Sequence, residues 1–449
     1  MRKLAFVLIG MVVILSGLWM ASRALPPTEQ QQQALATLCD PPGFEGSNAF
    51  PALWLMPYAV PREEWDTVIA ADIAAHLQAW ETWTRTNGSL MSGSTAANHY
   101  SSLRPDAADR DLFCQSGRGN CLDQVRVDVD AVGELVTRHE PLLDRIEALA
   151  EHDFVQNVFP PKLFFQAPAF QVNQHLHTRH ALHFVEGRVD EALLDTCDYL
   201  LTWRRLGTNS DTLIVRLVGH SQEIQRSAVL LADMLAELPP GYPLPAGCSA
   251  VQELPDLDAL GICQPLQGEF QSISAAHEAM DQLSNLPSNT LAQRARKPLH
   301  RLVFDGEATN ARIASSYGQW CNDDMRDTIL ADDPAPTLVD PPGRFSFRCL
   351  SNILGCQLSG LVSAQMVSPF HVRHLDYGAK RRLLGALIWL QQNAVDGDFA
   401  EAFGRLPAEF QSETRPLRLD VGDNILSVPL HNQSESPEFS LPLPGARAI

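Results

Sequence analysis

The sequence predicts a mainly α-helical protein, with an N-terminal transmembrane helix, a multi-helix body of antiparallel hairpins and a small C-terminal β-hairpin. Three observations support this fold class. Residues 4–20 form an apolar run without a charge. Most of the remaining chain repeats apolar residues at helical spacing, in segments separated by Pro- and Gly-rich stretches. Residues 415–421 and 425–430 instead alternate as strands do, on either side of a turn.

The N-terminal run is long enough to cross a bilayer. As a helix, residues 4–20 rise about 25 Å, and residues 21–22 bring the run close to the roughly 30 Å of bilayer hydrocarbon. The alternative is a cleaved signal peptide, whose apolar region covers about 7 to 15 residues before a small-x-small site. Residues 22–24 fit such a site only loosely, because an arginine is in the middle. We therefore favour an uncleaved signal-anchor over 1–24.

The charges around this run predict its topology. Arg2 and Lys3 precede it, and positive residues stay on the cytoplasmic side. We expect a single-pass protein of the cell inner membrane, inserted through residues 4–22, with its body in the periplasm. Trp19 lies near the outer end, where an indole suits the membrane interface. The whole chain has 53 acidic and 34 basic residues, a net charge of −19, which argues against nucleic acid as a partner.

Nine cysteines are an odd count for the oxidising compartment in which we place the body. Cys114 and Cys121 flank a flexible loop that contains two glycines, so their Cα atoms can come within bridging distance. We predict a disulfide between them. Cys248 and Cys263 border a Pro-rich connector and form a second, weaker candidate pair.

Three further cysteines are predicted not to form bridges. Cys349 and Cys356 are expected along one helix, where a separation of about 10 Å is too long for a disulfide. Cys197 is at a core position of a helix and is interpreted as a buried thiol. Cys39 lies too far from the apolar run to make the chain a lipoprotein.

The first part of the body is predicted as a tether followed by a helical domain. Residues 25–47, rich in Pro and Gln, are expected to lead away from the membrane. The helical domain covers 48–238. Its first segment, 48–61, is apolar, but its prolines exclude a long helix, so we expect an extended strip. The helices that follow are expected after residue 61, at about 128–151 and in a series over 169–238.

The series over 169–238 gives the clearest helical hairpin. Gly187 is expected to end one helix, and Asp190 is a candidate N-cap for the next. Helices joined by such short turns pack antiparallel. The string from Gly187 to Leu193 resembles the turn of a tetratricopeptide-like hairpin. The full 34-residue pattern is not repeated, so a regular solenoid is not expected.

A Pro- and Gly-rich connector at 239–255 precedes a second helical region, which covers 256–449 and includes the β tail. Its helices are predicted at about 268–285, 290–303, 306–330, 350–367 and 370–394. The string Asn48-Ala-Phe-Pro-Ala-Leu-Trp54, the helical pairs and the β tail together resemble a group of uncharacterised single-pass envelope proteins of Gram-negative bacteria. The resemblance implies no activity and no functional residue.

The densest group of chemically versatile side chains is His175, His177, His180 and His183, followed by Glu186. On a helix His180, His183 and Glu186 share one face, and neutral imidazoles there could bind Zn²⁺. However, His175 and His177 point apart, and no two histidines have i, i+4 spacing. We therefore interpret the cluster as ordinary polar residues of a helix.

Two strings imitate catalytic motifs. Gly219-His-Ser-Gln-Glu223 begins like a nucleophile elbow, but Glu223 replaces the second glycine and the string lies in a helical pattern. His277-Glu278 begins like a zinc-protease motif, with Asp281 where the second histidine belongs. There is no Cys-x-x-Cys, no phosphate loop and no dinucleotide fingerprint. We predict no catalytic, cofactor-binding or metal-binding residue.

The expected function is an interaction or structural role in the cell envelope, by a membrane-tethered periplasmic protein with an envelope protein as its partner. This expectation leans away from an enzyme. Two alternatives stay open. One is an envelope hydrolase or metal-binding enzyme that uses the cluster from His175 to His183. The other is a helical protein that binds a ligand in a cavity between its helices.

Overall fold

The computed structural model describes residues 2–40, 43–86, 93–115, 119–160, 166–285, 300–339, 343, 345–394, 397–433 and 436–447. These residues are mainly helical, with an apolar helix at the N-terminus and a small antiparallel sheet near the C-terminus, so the predicted fold class is confirmed. In chain order, the α-helices are α1 (Arg2–Arg23), α2 (Glu29–Cys39), α3 (Phe50–Leu55), α4 (Trp65–Thr86), α5 (Ala107–Leu112), α6 (Cys121–Arg126), α7 (Val129–Arg138), α8 (Glu140–Glu147), α9 (Leu176–Val185), α10 (Val189–Thr208), α11 (Leu213–His220), α12 (Val229–Glu237), α13 (Leu257–Leu260), α14 (Cys263–Asn285), α15 (Gly306–Tyr317), α16 (Asp323–Leu330), α17 (Ile353–Leu361), α18 (Ala364–Asn393) and α19 (Phe399–Gly404).

The chain divides into two compact units, each assembled from separate stretches of sequence. Unit 1 contains residues 1–42, 160–165 and 261–371. Unit 2 contains residues 43–159, 166–260 and 372–449. The predicted division into 48–238 and 256–449 is continuous in sequence instead, and it stays a prediction. The helix predicted at 290–303 lies largely outside the described residues, although 300–303 are helical.

Helix α1 is long and apolar enough to cross a membrane, by length and composition, over Phe6–Arg23. Helix α2 lies within residues 25–47, the stretch predicted as a tether. It forms because Thr28 and Gln31 make a capping box and the glutamines that follow are good helix formers. It packs against α14 and α15, and the side chain of Gln267 donates a hydrogen bond of 2.8 Å to the carbonyl of Thr37.

The apolar segment 48–61 also differs from its prediction, because it contains the short helix α3. Pro51 fits there since it occupies the first turn, where its missing N–H is not needed. The side chains of this helix join an apolar core in unit 2 with residues from α4, α8 and α10. A second core of unit 2 is formed by α9, α10, α12, α18 and the sheet.

The sheet contains three antiparallel strands in the order β1 (Arg418–Asp420), β2 (Ile425–Pro429) and β3 (Glu438–Pro442). The first two form the predicted hairpin, and Asn424 adopts a positive φ in its turn. The third strand was not predicted, since prolines at 437 and 442 mask its alternation. The buried side chain of Leu426 pairs with Leu419 on one side and with Leu441 on the other.

The described residues contain four disulfides, and a predicted pair is among them. The Cys114–Cys121 disulfide is confirmed. The pair predicted at Cys248 and Cys263 is wrong, because each of these cysteines lies beside a different partner. Cys248 is bonded to Cys197, so the prediction of a buried thiol at that position is wrong too. In the full set the bonded pairs are Cys114–Cys121, Cys197–Cys248, Cys263–Cys321 and Cys349–Cys356.

The Cys349–Cys356 disulfide also corrects a prediction. The two residues do not share a helix, because Cys349 ends a short 3-10 turn and only Cys356 is in α17. Their Cα atoms are therefore 5.8 Å apart, compared with the 10 Å expected for one continuous helix. Cys39 is the free cysteine and is exposed.

Helices α10 and α11 cross at two glycines, which sets the position of the segment that follows α11. A Cβ atom on Gly219 would lie 2.5 Å from the Cα of Gly207 and 3.1 Å from the carbonyl oxygen of Trp203. These are backbone atoms, so they cannot move without shifting α10 as a whole. The close approach of the two helices therefore requires glycine at 219.

We expect Gly219→Ala to destabilise the protein by about 1–3 kcal/mol, because an extra methyl group at a closed helix contact forces the backbones apart. Gly133→Ala in α7 is the matched control, since a Cβ there meets no atom within 4 Å. The control should be stabilising by about 0.5–1 kcal/mol, as alanine is the better helix former. Urea unfolding of both variants measures the difference. Equal stability changes at the two positions would contradict the tight crossing.

Candidate functional site

A cavity of about 290 Å³ lies in unit 2, between the helical segment that begins with α11 and the middle of α18. The wall from α18 has polar residues at i, i+3, i+4 and i+7, the spacing of one helix face: Arg373, Asp376, Tyr377 and Lys380. The opposite wall comes from residues 217–225, and Leu430 and Asn432 after β2 complete the lining.

The wall at 217–225 includes a π-helix, Ser221–Ala228, which continues directly from α11 into α12. Helical turns of this type are rare and occur often at functional sites, because their wider turn redirects side chains. Ser221, Ile224 and Gln225 line the cavity. Glu223 of the same segment is fully buried within unit 2.

His220, the last residue of α11, is the most unusual group of the cavity wall. Only 8% of its surface is exposed, and neither ring nitrogen has a hydrogen-bond partner among the described residues. Its ring stacks on that of Tyr377, with centroids 3.6 Å apart and planes within 6°. Burial, followed by the positive charges of neighbouring groups such as Arg216, holds the pKa of His220 well below its usual value. The ring is therefore neutral at pH 7, with one donor and one acceptor nitrogen.

Tyr377 is held in place by a buried ionic network centred on Glu223. The Tyr377 hydroxyl donates to one carboxylate oxygen of Glu223 over 2.6 Å. The other oxygen accepts from Arg204 at 3.0 Å and from Arg381 at 2.9 Å. Burial, together with the charge of Glu223, raises the pKa of Tyr377, so its hydroxyl stays protonated and keeps donating. The network fixes the ring on which His220 stacks.

Asp376 on the cavity wall is satisfied by its own surroundings. Its carboxylate accepts a hydrogen bond of 2.6 Å from Arg415 and main-chain bonds from His431 at 2.8 Å and Asn432 at 2.9 Å. The charge of Asp376 is thus compensated, and the segment after β2 is attached to α18. Among the described lining residues Asp376 is the single carboxylate, whereas Arg373 and Lys380 are both cationic.

The predicted histidine cluster does not form a common surface. His175, His177 and His180 are all buried, which differs from the polar helix face that we expected. His177 lies 3.0 Å from both the carbonyl of Gln174 and the hydroxyl of Ser227. Burial lowers the pKa of His177 to about 4 and also lowers that of His180. These rings are therefore neutral members of the core at pH 7.

His183 and Glu186 separate as well. His183 lies 3.5 Å from Glu191 and 3.3 Å from Asp195 of α10, while Glu186 pairs with Arg188. Within the described residues, His183, Glu191 and Asp195 are the one group of three whose ligand atoms lie close enough to hold a metal ion. Imidazole and carboxylates suit Zn²⁺, but Glu191 also forms an ion pair of 3.1 Å with Arg188. Arg188 therefore competes with any ion for the Glu191 carboxylate.

The string from Gly219 to Glu223 lies in a continuous helical segment, as its helical pattern predicts. The Ser221 hydroxyl bonds to the side chain of Gln225 at 3.0 Å. What the sequence did not reveal is that His220 and Ser221 of this string line the cavity. A lone histidine at the end of the apolar run of α11 was the available signal.

Comparisons with protein-family models, with curated proteins and with solved structures found no match. The resemblances noted for 187–193 and for 48–54 therefore stay predictions. Any function must be inferred from the side chains of the chain itself, and the cavity beside His220 is where they converge.

Proposed function

We propose that the protein is a membrane-anchored helical protein that binds a small anionic molecule in the cavity beside His220. The observation that carries this proposal is the unsatisfied imidazole. A buried polar group without a hydrogen-bond partner destabilises a protein by about 1–3 kcal/mol. His220 has two such nitrogens on the wall of a cavity, and a ligand with a donor or acceptor group would satisfy them.

The charge of the cavity favours an anion. Arg373 and Lys380 contribute positive charge to the lining, and the charge of Asp376 is compensated by Arg415. Arg216 adds a further buried guanidinium whose charge acts on His220, and burial lowers the pKa of Arg216 to about 10, so it remains charged at pH 7. A positive cavity is unexpected in a chain with a net charge of −19. It therefore supports selection for a negatively charged group.

The size and apolar wall of the cavity limit the rest of the ligand. About 290 Å³ corresponds to roughly ten water molecules at about 30 Å³ each. This volume is at the lower end of the range of small-molecule pockets, about 300–1,000 Å³. Leu217, Ile224 and Leu430 provide the apolar contacts. A single ring or short chain with one anionic group fits these limits.

We expect the full-length protein in detergent to bind 4-fluorobenzoate more tightly than the isosteric, neutral 4-fluorobenzamide, as measured by ¹⁹F NMR. His220→Phe keeps a ring on Tyr377 but removes both nitrogens, and it should weaken binding of both probes. Lys380→Met should weaken binding of the benzoate alone, by about tenfold or more, because hydrogen bonds to charged groups contribute about 1.5–3 kcal/mol.

Arg405→Met is the control variant, since Arg405 is an exposed cation of unit 2 outside the cavity lining. It should leave the binding of both probes unchanged. Equal affinity for the two probes, unaffected by Lys380→Met, would contradict the anionic class. If His220→Phe has no effect on either probe, the proposal that they bind in this cavity is wrong.

We also propose that α1 anchors this protein in the inner membrane, with its N-terminus in the cytoplasm and its body in the periplasm. Four disulfides support an oxidising compartment for the body. An uncleaved anchor is supported by Ser22, which is buried at the end of α1 and bonded to the carbonyl of Phe347. Signal-peptide cleavage would remove that contact. Photo-labelling of lipid from within α1 tests the span.

The interaction or structural role in the envelope stays a proposal, and a ligand-binding site is compatible with it. The hydrolase alternative has less support. In the described residues Ser221 bonds to Gln225, and His177 bonds to main-chain and hydroxyl groups of the core. Neither arrangement joins a nucleophile to a base within a cavity.

A further inference from the structure

We infer that a part of unit 1 around the outer end of α1 lies in the lipid headgroup region of the bilayer. We name this part the collar and define it by Leu302, Phe347, Leu350, Ile353, Arg301 and Arg348. The inference rests on α1 spanning the membrane and is independent of the cavity beside His220. The collar would set the depth at which unit 1 meets the membrane, in addition to the attachment through α1.

The collar is attached to the last turns of α1 by hydrogen bonds. The indole of Trp19 donates to the carbonyl of Leu302 at 2.9 Å. The Ser22 hydroxyl donates to the carbonyl of Phe347 at 2.8 Å and lies 3.0 Å from the hydroxyl of Ser351. Since Trp19 and Ser22 are separated by about 5 Å along a helix axis, both segments of the collar meet α1 at nearly one level.

That level is the outer boundary of the membrane span. The apolar stretch of α1 ends at Arg23, and the residues before its last turns expose their side chains as lipid-facing residues do. Trp19 is of the residue type that concentrates at the membrane–water interface. Backbone contacts to Trp19 and Ser22 therefore place the collar at headgroup depth.

The side chains of the collar suit that environment. Leu302, Phe347, Leu350 and Ile353 each expose between 36% and 47% of their surface. Single exposed apolar residues are common on soluble proteins. Here, however, they occur in the two segments that hold the end of a membrane helix. Apolar side chains at this depth can enter the boundary between headgroups and acyl chains.

The charges of the collar complement anionic lipid. Arg301 and Arg348 belong to it, and Arg23 adjoins it through a hydrogen bond of 3.1 Å to the carbonyl of Arg301. Arg348 donates to the carbonyl of Pro26 at 2.7 Å, so this guanidinium also lies beside the end of α1. Arg23 is paired with Asp305 at 3.6 Å, so Arg301 and Arg348 are the two collar cations that favour phosphate headgroups. Because the collar is attached to α1, it contacts the same bilayer that α1 spans.

The test places the photo-reactive residue p-benzoylphenylalanine at single positions of the full-length chain in nanodiscs of phosphatidylcholine and phosphatidylglycerol. Lipid adducts are then measured by mass spectrometry. Position 350 tests the collar, position 12 in α1 is the positive control, and position 127, an exposed valine of unit 2, measures background. We expect several-fold more lipid adduct at 350 than at 127. Arg301→Gln with Arg348→Gln should lower the yield at 350 and leave the yield at 12 unchanged.

The outcomes distinguish membrane contact of the collar from membrane insertion of α1. Adducts at 12 without adducts above background at 350 would overturn the collar while α1 remains in the membrane. A lack of adducts at 12 would overturn the span on which the collar depends. A cross-link from 350 to a second copy of the chain, in place of lipid, would also overturn the inference, because it would identify a protein interface.

Discussion

Replacing Glu223 with glutamine should lower the free energy of unfolding by about 3–5 kcal/mol, because it leaves buried cations without their counter-charge. Glu223 has no exposed surface and accepts from Arg204 and Arg381, of which the latter is almost fully buried. Glutamine keeps the shape of the side chain, so loss of charge is the dominant change. Urea unfolding of the full-length protein in detergent measures the effect.

The arginines have further partners that keep them in place when Glu223 changes. Arg204 donates to the carbonyls of Ala250 and Val251, and Arg381 donates to that of Glu253. They cannot turn toward water without breaking these bonds, so their charges remain buried. This is why the expected effect is larger than that of a surface ion pair, which is worth about 0–1 kcal/mol.

A surface pair of the same chemistry is the matched control. Glu401 and Arg405 are 3.8 Å apart and mostly exposed, so Glu401→Gln should change stability by less than about 0.5 kcal/mol. A double variant that also replaces Arg381 with methionine should recover part of the stability lost in Glu223→Gln. A small effect of Glu223→Gln, similar to that of the control, would show that the two arginines are solvated.

The network also connects stability to the proposed site. Tyr377 donates to Glu223 and carries the stacked ring of His220. Loss of Glu223 should therefore weaken binding of 4-fluorobenzoate as well as stability. The stability effect is measured without ligand and the binding effect on the folded protein, so the two can be separated.

Most helices could be predicted from the sequence, since apolar periodicity reports which face of a helix is buried. The missed elements have local causes. Helix α2 has little apolar periodicity and depends on the cap at Thr28 and on packing against α14 and α15. The Cys349–Cys356 disulfide is incompatible with the single helix that the sequence predicts, whereas the chain turns between the two residues. In neither case does apolar periodicity report the local cap or turn.

The candidate site could not be predicted, because its walls come from three distant segments. Residues 217–225, 373–380 and 430–432 converge only when α18 and the sheet pack beside the π-helix. Sequence motifs report residues that are close along the chain, and so the histidines from 175 to 183 drew attention. Those histidines are mostly core residues, whereas His220 lacks hydrogen-bond partners at a cavity. Whether a side chain is buried, and whether its polar atoms have hydrogen-bond partners, depends on the fold.

Removing the Cys197–Cys248 disulfide, with alanine at both positions, should lower the free energy of unfolding by about 4 kcal/mol. The bond closes a loop with a sequence separation of 51, and the entropy lost by the unfolded chain grows with the logarithm of that length. Both cysteines have no exposed surface, so the substitution also leaves a small cavity. Removal of this bond should therefore be more destabilising than that of the short-range disulfide in the same unit.

The Cys114–Cys121 disulfide provides that comparison, because its sequence separation is only 7. The chain-entropy relation gives about 2–3 kcal/mol for its removal. Cys39→Ala is the control for loss of a thiol, since Cys39 is free and exposed, and its effect should be within about 0.5 kcal/mol of zero. Urea unfolding under non-reducing conditions, with all variants in one detergent, ranks the three.

The contribution of the disulfides to stability also tests the proposed periplasmic location of the body. Reducing agent opens all four disulfides, so it should shift the unfolding of the natural chain by more than the double alanine variant does. The body would then need an oxidising environment to persist, which is what the proposed periplasmic location provides. Unfolding that is insensitive to reducing agent, together with a small effect of the double variant, would remove the disulfides as support for that location.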